Sequence, residues 1–307
     1  MTPKISVVIP TRGRPDLIGQ SVRGVLANDC DAFEVIVIDQ SDDDATGAVV
    51  RGIAAGDARV RYVHTLPPGL SRAYNLGARE ATAVLIAFTD DDCVAAADWL
   101  SSIVRAFTEQ PDASMLYGRV ARAASIPDDL GEVPQLPIER AERIEARTGF
   151  RLYGMGANFA VRRELLERIG GFDEVLGGGG PLRSSQDFDL QYRAYLAGAV
   201  VLLRPEVSVD HYGLRSRAEW PRTQRAYGIG DASFYLKHVR CGDWYAASLL
   251  ARRVLRQVAR ELVTLVDRRR FSQATYLGAY LEGLRVSLRY PVDRKRRLYR
   301  PRATRPA

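Results

Sequence analysis

The chain has 307 residues, 46% hydrophobic and 26% charged, enough to bury the core of one large α/β domain with an appendage. Three scattered cysteines, Cys30, Cys93 and Cys241, argue against a disulfide framework or a paired-cysteine zinc site and fit a reducing compartment. Of the net charge of +7, residues 241–307 hold an excess of +11 and residues 1–240 hold −4, which points to an acidic surface as partner of the tail and not to nucleic acid binding by the body.

Ile5-Ser6-Val7-Val8-Ile9 reads as a buried strand. As an apolar run it is too short for a signal peptide and stops at Pro10. No stretch approaches the roughly 20 apolar residues of a bilayer span, so a cytoplasmic protein is expected, at most peripheral on the inner face of the membrane. Pro10-Thr11-Arg12-Gly13-Arg14-Pro15 forms the next loop, and Asp16 is expected to cap a helix through about Leu26. Phe33 to Asp39 is a second strand ending in a carboxylate, Val49 to Ala55 a helix, and Val60 to Val63 a short strand. Gly69 to Ala78 opens a helix that feeds the apolar run Ala83 to Phe88, which leads into Asp90-Asp91-Asp92.

Three adjacent carboxylates at a strand end repel one another. Either a cation neutralises them or they form a solvated acidic turn. Hard oxygen ligands suit Mg²⁺ or Mn²⁺ bridging to a phosphate. Strands alternating with helices imply a parallel sheet with right-handed crossovers, whose ligands lie beyond the carboxyl ends of the strands. Thr11, Arg12, Asp39 and Asp90 to Asp92 all fall there.

Trp99 is expected in the core. From Arg119 to Arg151 a proline-containing excursion, followed by a polar helix around Ile138 to Arg147, is either an insertion over the site or a passive surface loop. Gly177 to Gly180 is either a mobile loop beside the chemistry or a flexible connector. In the tail, Ala246 to Val266 and about Ala274 to Arg289 read as amphipathic helices with arginine stripes. The pattern over residues 246–305 suits an anionic membrane surface. It equally suits helices packed on the body or on a second subunit.

The ordered set Pro10-Thr11-Arg12, Val35 to Asp39, Arg72 to Gly77, Phe88 to Asp92, Gly156 to Arg163, Gly170 to Glu174 and Gln186 to Leu190 resembles the family-2 inverting glycosyltransferases over about residues 4–213. The resemblance implies a GT-A fold, a Rossmann-like, mostly parallel sheet flanked by helices, here with a C-terminal amphipathic helical extension. With the charge excess of the tail, the chain divides into a glycosyltransferase domain, 1–240, and a basic amphipathic helical tail, 241–307. The domain comprises a nucleotide-sugar half, about 1–118, and an acceptor half, about 119–240.

The resemblance also implies the site. Asp187 would be the general base, with Asp189 as second choice unless Asp187-Phe188-Asp189 only caps a helix. Pro10, Thr11, Arg12, Asp39, Arg72, Asn75, Asp90 and Asp91 would bind the nucleotide sugar. Asp90 and Asp92 would hold a divalent metal, Mn²⁺ or Mg²⁺, with His211 beside them or merely structural. Arg215, Arg217 and Arg222 follow in a loop able to reach a diphosphate. Gln186 stands where the family usually has glutamate. The donor would be a UDP- or dTDP-sugar, and the acceptor a glycan, a lipid-linked molecule or a secondary metabolite, as in cell-envelope or exopolysaccharide synthesis. A sugar nucleotidyltransferase and a catalytically silent membrane-associated scaffold are the competing readings.

Overall fold

The computed structural model describes residues 2–127, 130–145, 149–216, 218–266 and 274–301. The chain divides into two compact units, Met1–Phe172 with Leu190–Ser216, and Asp173–Asp189 with Arg217–Ala307.

The first unit is built on the sheet. β1 (Ile5–Thr11) lies between β2 (Phe33–Asp39) and β4 (Leu85–Thr89), and β3 (Val60–His64) flanks β2, all parallel. β1, β2 and β4 are buried at every residue, as apolar runs without alternation require when both faces are covered. Successive side chains alternate between two cores. Val7, Val37 and Ala87 join the face packed by α1 (Pro15–Leu26) and α4 (Trp99–Glu109). Val8, Ile38 and Phe88 join the face packed by α3 (Leu70–Glu80) and α5 (Arg163–Ile169). α2 (Ala45–Ala54) links β2 to β3.

Beyond β4 the sheet turns mixed. β8 (Asn158–Arg162) pairs antiparallel to β4 and to β6 (Ala113–Arg122). β6 runs parallel to β9 (Val200–His211), and β9 pairs antiparallel with β5 (Cys93–Ala95). The register Thr11↔Asp39 and Cys93↔His211 brings residues far apart in sequence to one end of the sheet. Trp99 is fully buried, its indole N–H donating to Asn158 Oδ1 at 2.9 Å.

Three local expectations are corrected. α1 starts at Pro15 with Arg14 as its flanking residue, so Asp16 lies inside the first turn; proline fits there because that N–H has no helical partner anyway. α2 begins at Ala45, four residues before the expected start. The polar helix around Ile138 to Arg147 does not form: Glu142–Ile144 is β7, an antiparallel strand on β9, and residues 138–141 are not helical. Pairing Ile144 with Val201 buries the isoleucine in the core, a tertiary gain that overrides the helical propensity of the surrounding Glu, Arg and Ala. Residues 146–148 of that expectation lie outside the described residues. The excursion is fastened by bridges between Val120 and Leu136 and between Glu132 and Arg215.

The second unit gathers the segment Asp173–Asp189, α7 (Trp220–Arg240), α8 (Trp244–Val266), α9 (Ala274–Ser287) and a hairpin of β10 (Val292–Asp293) and β11 (Leu298–Tyr299). α7 was not anticipated from the sequence. α6 (Gln186–Leu196) begins in this unit and ends in the first. No described helix is long and apolar enough to cross a membrane.

Candidate active site

β4 delivers Asp90 to a tight turn, closed by the Cys93 N–H donating to the Asp90 carbonyl at 3.2 Å. The three carboxylates of the turn have different sets of partners, with Arg14 shared by two of them. Tyr74 O–H donates to Asp90 Oδ1 at 3.0 Å. Asp91 accepts from Thr11 Oγ1 at 2.8 Å and from Arg14 Nη1 at 2.7 Å. Asp92 accepts from the same Arg14 nitrogen at 2.9 Å, and its other oxygen lies 3.2 Å from His211 Nε2. The chain therefore supplies a fixed cation, Arg14, and an imidazole, His211, to the same carboxylates.

Arg14 escaped the sequence reading, which chose Arg12 two residues earlier. Arg12 pairs instead with exposed Asp42 at 2.9 Å. The only signal was a second arginine in the same loop. The spacing could not say which one would point at the turn.

The charges interact strongly. Burial and the neighbouring Asp92 push the Asp90 carboxyl up to about 7. Burial also raises Asp91, although Arg14 pulls it back. For Asp92 burial is outweighed by His211 and Arg14, so its carboxyl lies below the usual range. His211 moves the other way: burial opposes its charge, and the bond to Asp92 outweighs that and raises it.

His211 Nδ1 lies 2.8 Å from the Pro134 carbonyl, so Nδ1 must donate. In the neutral ring Nε2 would then be a lone pair facing the Asp92 carboxylate. That arrangement needs a proton or a metal cation between the two acceptors. The space around it is kept clear: a Cβ on Gly213 would lie 2.5 Å from Asp92 Oδ2 and 2.7 Å from His211 Nε2. Asp92, Cys93 and His211 offer ligand atoms within 4.8 Å of one another. Burial holds the Cys93 thiol well above its ordinary range; the carboxylate and imidazole beside it suit Mn²⁺ or Mg²⁺. Asp90 is not part of this cluster.

A second polar group lies at the end of β2. Asp39 is fully buried; Ser41 N–H and O–H donate to Oδ1 at 2.8 and 2.5 Å, and Tyr62 O–H to Oδ2 at 2.9 Å. Burial and this carboxylate push the Tyr62 hydroxyl up to about 12. Gln40, also missed by the sequence reading, accepts the Gly69 N–H at 2.9 Å, while its buried Nε2 has no partner among the described residues. Pro10 is buried in β1 opposite Ile38. Arg72 is half-buried on α3. The Asn75 amide clasps the Phe172 backbone, donating at 3.0 Å and accepting at 2.8 Å.

Asp187 belongs to the second unit, in the first turn of α6, half-buried, and its Oδ1 accepts the Phe188 N–H at 3.0 Å. Gln186 is buried beside it. Asp189 is fully buried against Lys237 and His238. Arg215 pairs its backbone with Glu132, Arg222 is exposed near the start of α7, and Arg217 lies outside the described residues.

A parallel β/α half-sheet with carboxylates gathered at its strand ends defines an α/β enzyme of the nucleotide-binding class. Residues 6–170 match the model of glycosyl transferase family 2, more than half of the chain. The chain belongs to glycosyl transferase family 2 and is a nucleotide-sugar-dependent glycosyltransferase. It is 26% identical to a validoxylamine A glucosyltransferase of Streptomyces hygroscopicus subsp. jinggangensis, over 95% of this chain and 80% of that protein. It is 23% identical to a glucosyl-dolichyl phosphate glucuronosyltransferase of Haloferax volcanii, over 71% of this chain and 72% of that one. Among solved structures it resembles a mannosyltransferase of Pyrobaculum calidifontis in complex with GDP-Man and Mn²⁺. That likeness has a TM-score of 0.63 at 19% identity and covers 92% of this chain and 88% of that one. The expected GT-A architecture is borne out.

Proposed function

We propose that the chain is a metal-dependent, inverting hexosyltransferase that moves one sugar from a UDP- or dTDP-sugar to a lipid-linked, glycan or secondary-metabolite acceptor. The observation that supports the metal is the 3.2 Å approach of His211 Nε2 to Asp92 Oδ1, which a cation can bridge in place of a proton, beside a glycine that leaves room. Asp92 and His211 would hold the cation. When bound, it supplies Lewis-acid neutralisation of the departing diphosphate. Arg14, already on Asp91 and Asp92, adds fixed positive charge to the same end of the sheet.

Asp39 binds the base. A carboxylate has roughly four acceptor positions, and with three donors already on Asp39 one remains for a pyrimidine N3–H. Asp187 is the general base that takes the proton of the attacking hydroxyl. Its support is the family resemblance and its place in the first turn of α6.

The acceptor side has its own support in α8. Trp244 is 86% exposed, Leu255 68% and Val258 42%, and Arg252, Arg256 and Arg260 are exposed beside them. An apolar strip edged by arginines fits an anionic lipid surface, where a lipid-linked acceptor resides. Failure to co-sediment with phosphatidylserine vesicles at low salt would remove this part of the proposal.

The central test is a thermal-shift and product screen of nucleotide sugars with and without Mn²⁺. The proposal expects Mn²⁺-dependent stabilisation by a UDP- or dTDP-sugar and release of the nucleoside diphosphate. Pyrophosphate formed from sugar phosphate and a nucleoside triphosphate would favour the nucleotidyltransferase reading, and nucleotide binding without turnover the scaffold. Asp92→Asn that keeps Mn²⁺-dependent donor binding would refute the metal assignment.

A further inference from the structure

The segment Asp173–Asp189 carries the proposed base close to its end, and the rest of the second unit holds that segment at three points. At its start, Asp173 Oδ2 accepts from Lys237 Nζ at 2.6 Å and from the Tyr299 N–H at 2.8 Å. At its end, Asp189 Oδ1 meets the same Lys237 Nζ at 2.5 Å and His238 Nε2 at 2.9 Å. Between them, Ser185 donates to Asp231 Oδ1 at 2.9 Å. The other oxygen of Asp231 accepts from Arg253 at 2.7 Å and Tyr276 at 2.5 Å. One lysine of α7 thus joins both ends of the segment, while α8, α9 and β11 brace it.

The ionic groups at the two ends are sealed. Lys237, Asp189 and His238 are 0% exposed and Asp173 1%. Arg297 Nη1 lies 3.5 Å from His238 Nδ1; since arginine only donates, Nδ1 accepts and Nε2–H is the donor to Asp189. Tyr299 lies under the Lys237 ammonium, 5.4 Å from nitrogen to ring centre, and its hydroxyl donates to the Ser233 carbonyl at 2.7 Å. Leu176 and Leu182 pack with Tyr299 in a small apolar cluster. Desolvating such charges offsets most of their attraction, so a buried ionic group of this kind is a weak source of stability. What it does supply is geometry. Arg183 and Ser185 hold left-handed φ values of 71° and 66°, which non-glycine residues keep only where surroundings impose them.

Residues two apart on a helix are about 200° apart around its axis. Locking Asp189 onto Lys237 and His238 therefore turns Asp187 to the other side of α6. This also removes Asp189 from contention as the base.

We propose that Lys237, with the hairpin residue Tyr299 and the Asp231 cluster, is the positioning device of the proposed base, setting the rotation of α6 and hence the direction of Asp187. The inference rests on the reading of Asp187 as base. Lys237 does not touch the reacting atoms; it acts through Asp189. Residues 218–266 and 274–301 are then the seat of the catalytic segment.

The test compares Lys237→Met, the milder Asp189→Asn, and Asp187→Asn by UDP release from UDP-glucose with Mn²⁺, alongside UDP affinity and hydrogen exchange at the α6 amides. Expected for the first two is a kcat lower by roughly 10- to 100-fold, the scale of an ångström-level misplacement. KM for UDP-glucose and UDP affinity stay as in the parent, while exchange at residues 187–190 accelerates. An unchanged kcat in a folded variant overturns the inference, and so does a loss of UDP affinity in step with kcat, which marks a merely structural role. Should Lys237→Met not fold, Asp189→Asn decides by the same criteria. If Asp187→Asn keeps its kcat, the base assignment itself has failed; if Asp187→Asn is inactive while Lys237→Met and Asp189→Asn are unaffected, only the positioning device has.

Discussion

Arg14→Met is expected to destabilise the metal-free protein and to enlarge the response to Mn²⁺. Arg14 makes two charged hydrogen bonds, 2.7 Å to Asp91 and 2.9 Å to Asp92, with carboxylates that are only 7% and 5% exposed in their side chains. Charged hydrogen bonds contribute about 1.5–3 kcal/mol each when buried. The Arg14 side chain is 44% exposed, so solvent screening cuts that severely. A net loss of about 1.5–3 kcal/mol remains, because the variant leaves Asp91 and Asp92 charged, buried and short of a partner. For a chain of this size each kcal/mol moves Tm by roughly 2–4 °C. The metal-free Tm should therefore fall by about 3–12 °C. Added Mn²⁺ meets the same carboxylates without an internal competitor, so its stabilising shift should exceed that of the parent protein. Differential scanning calorimetry with EDTA and then with MnCl₂ measures both numbers. A metal-free Tm within 1 °C of the parent, about a quarter to half of a kcal/mol, or a smaller Mn²⁺ shift in the variant, refutes the reasoning.

Other outcomes follow from single contacts. Gly213→Ala places a methyl group within 3 Å of Asp92 Oδ2 and His211 Nε2; Mn²⁺ affinity by calorimetric titration should drop about tenfold or more, equal to about 1.4 kcal/mol, and an unchanged affinity removes Asp92 and His211 as the cation's seat. Burial raises the Glu34 carboxyl, but hydrogen bonds from Thr82 and Ser6 outweigh it and hold the group below its ordinary range. Its contribution is thus present above the unfolded pKa and lost as pH falls through the folded one. Glu34→Gln should cost about 1–3 kcal/mol near neutral pH, and urea titrations should show that gap closing in acid; a gap independent of pH contradicts the assignment. Gly77→Ala sets a Cβ 2.2 Å from Val8 Cγ1, where α3 crosses β1, and should destabilise by about 1–3 kcal/mol through overpacking, with a stability equal to the parent as the refuting result.

Much of this protein is local and was therefore readable along the chain. Val7 to Ile9, Val35 to Ile38 and Leu85 to Phe88 are continuous apolar runs because strands covered on both faces have no polar side to show. Each run ends at a polar or acidic residue because the strand leaves the sheet there, so Thr11, Asp39 and Asp90 could be assigned to one rim from spacing alone. What tertiary structure alone decided involves partners distant in sequence. Glu142–Ile144 has the composition of a helix and becomes a strand because β9 offers it an edge. His211 meets Asp92 because β5 and β9 pair, Arg14 rather than Arg12 reaches the aspartates, and Lys237 joins Asp173 to Asp189. A side chain's identity states what it can bind, and chain order fixes where its element ends. Which charges meet depends on strand pairing and helix rotation, and both are set by burial of the apolar faces.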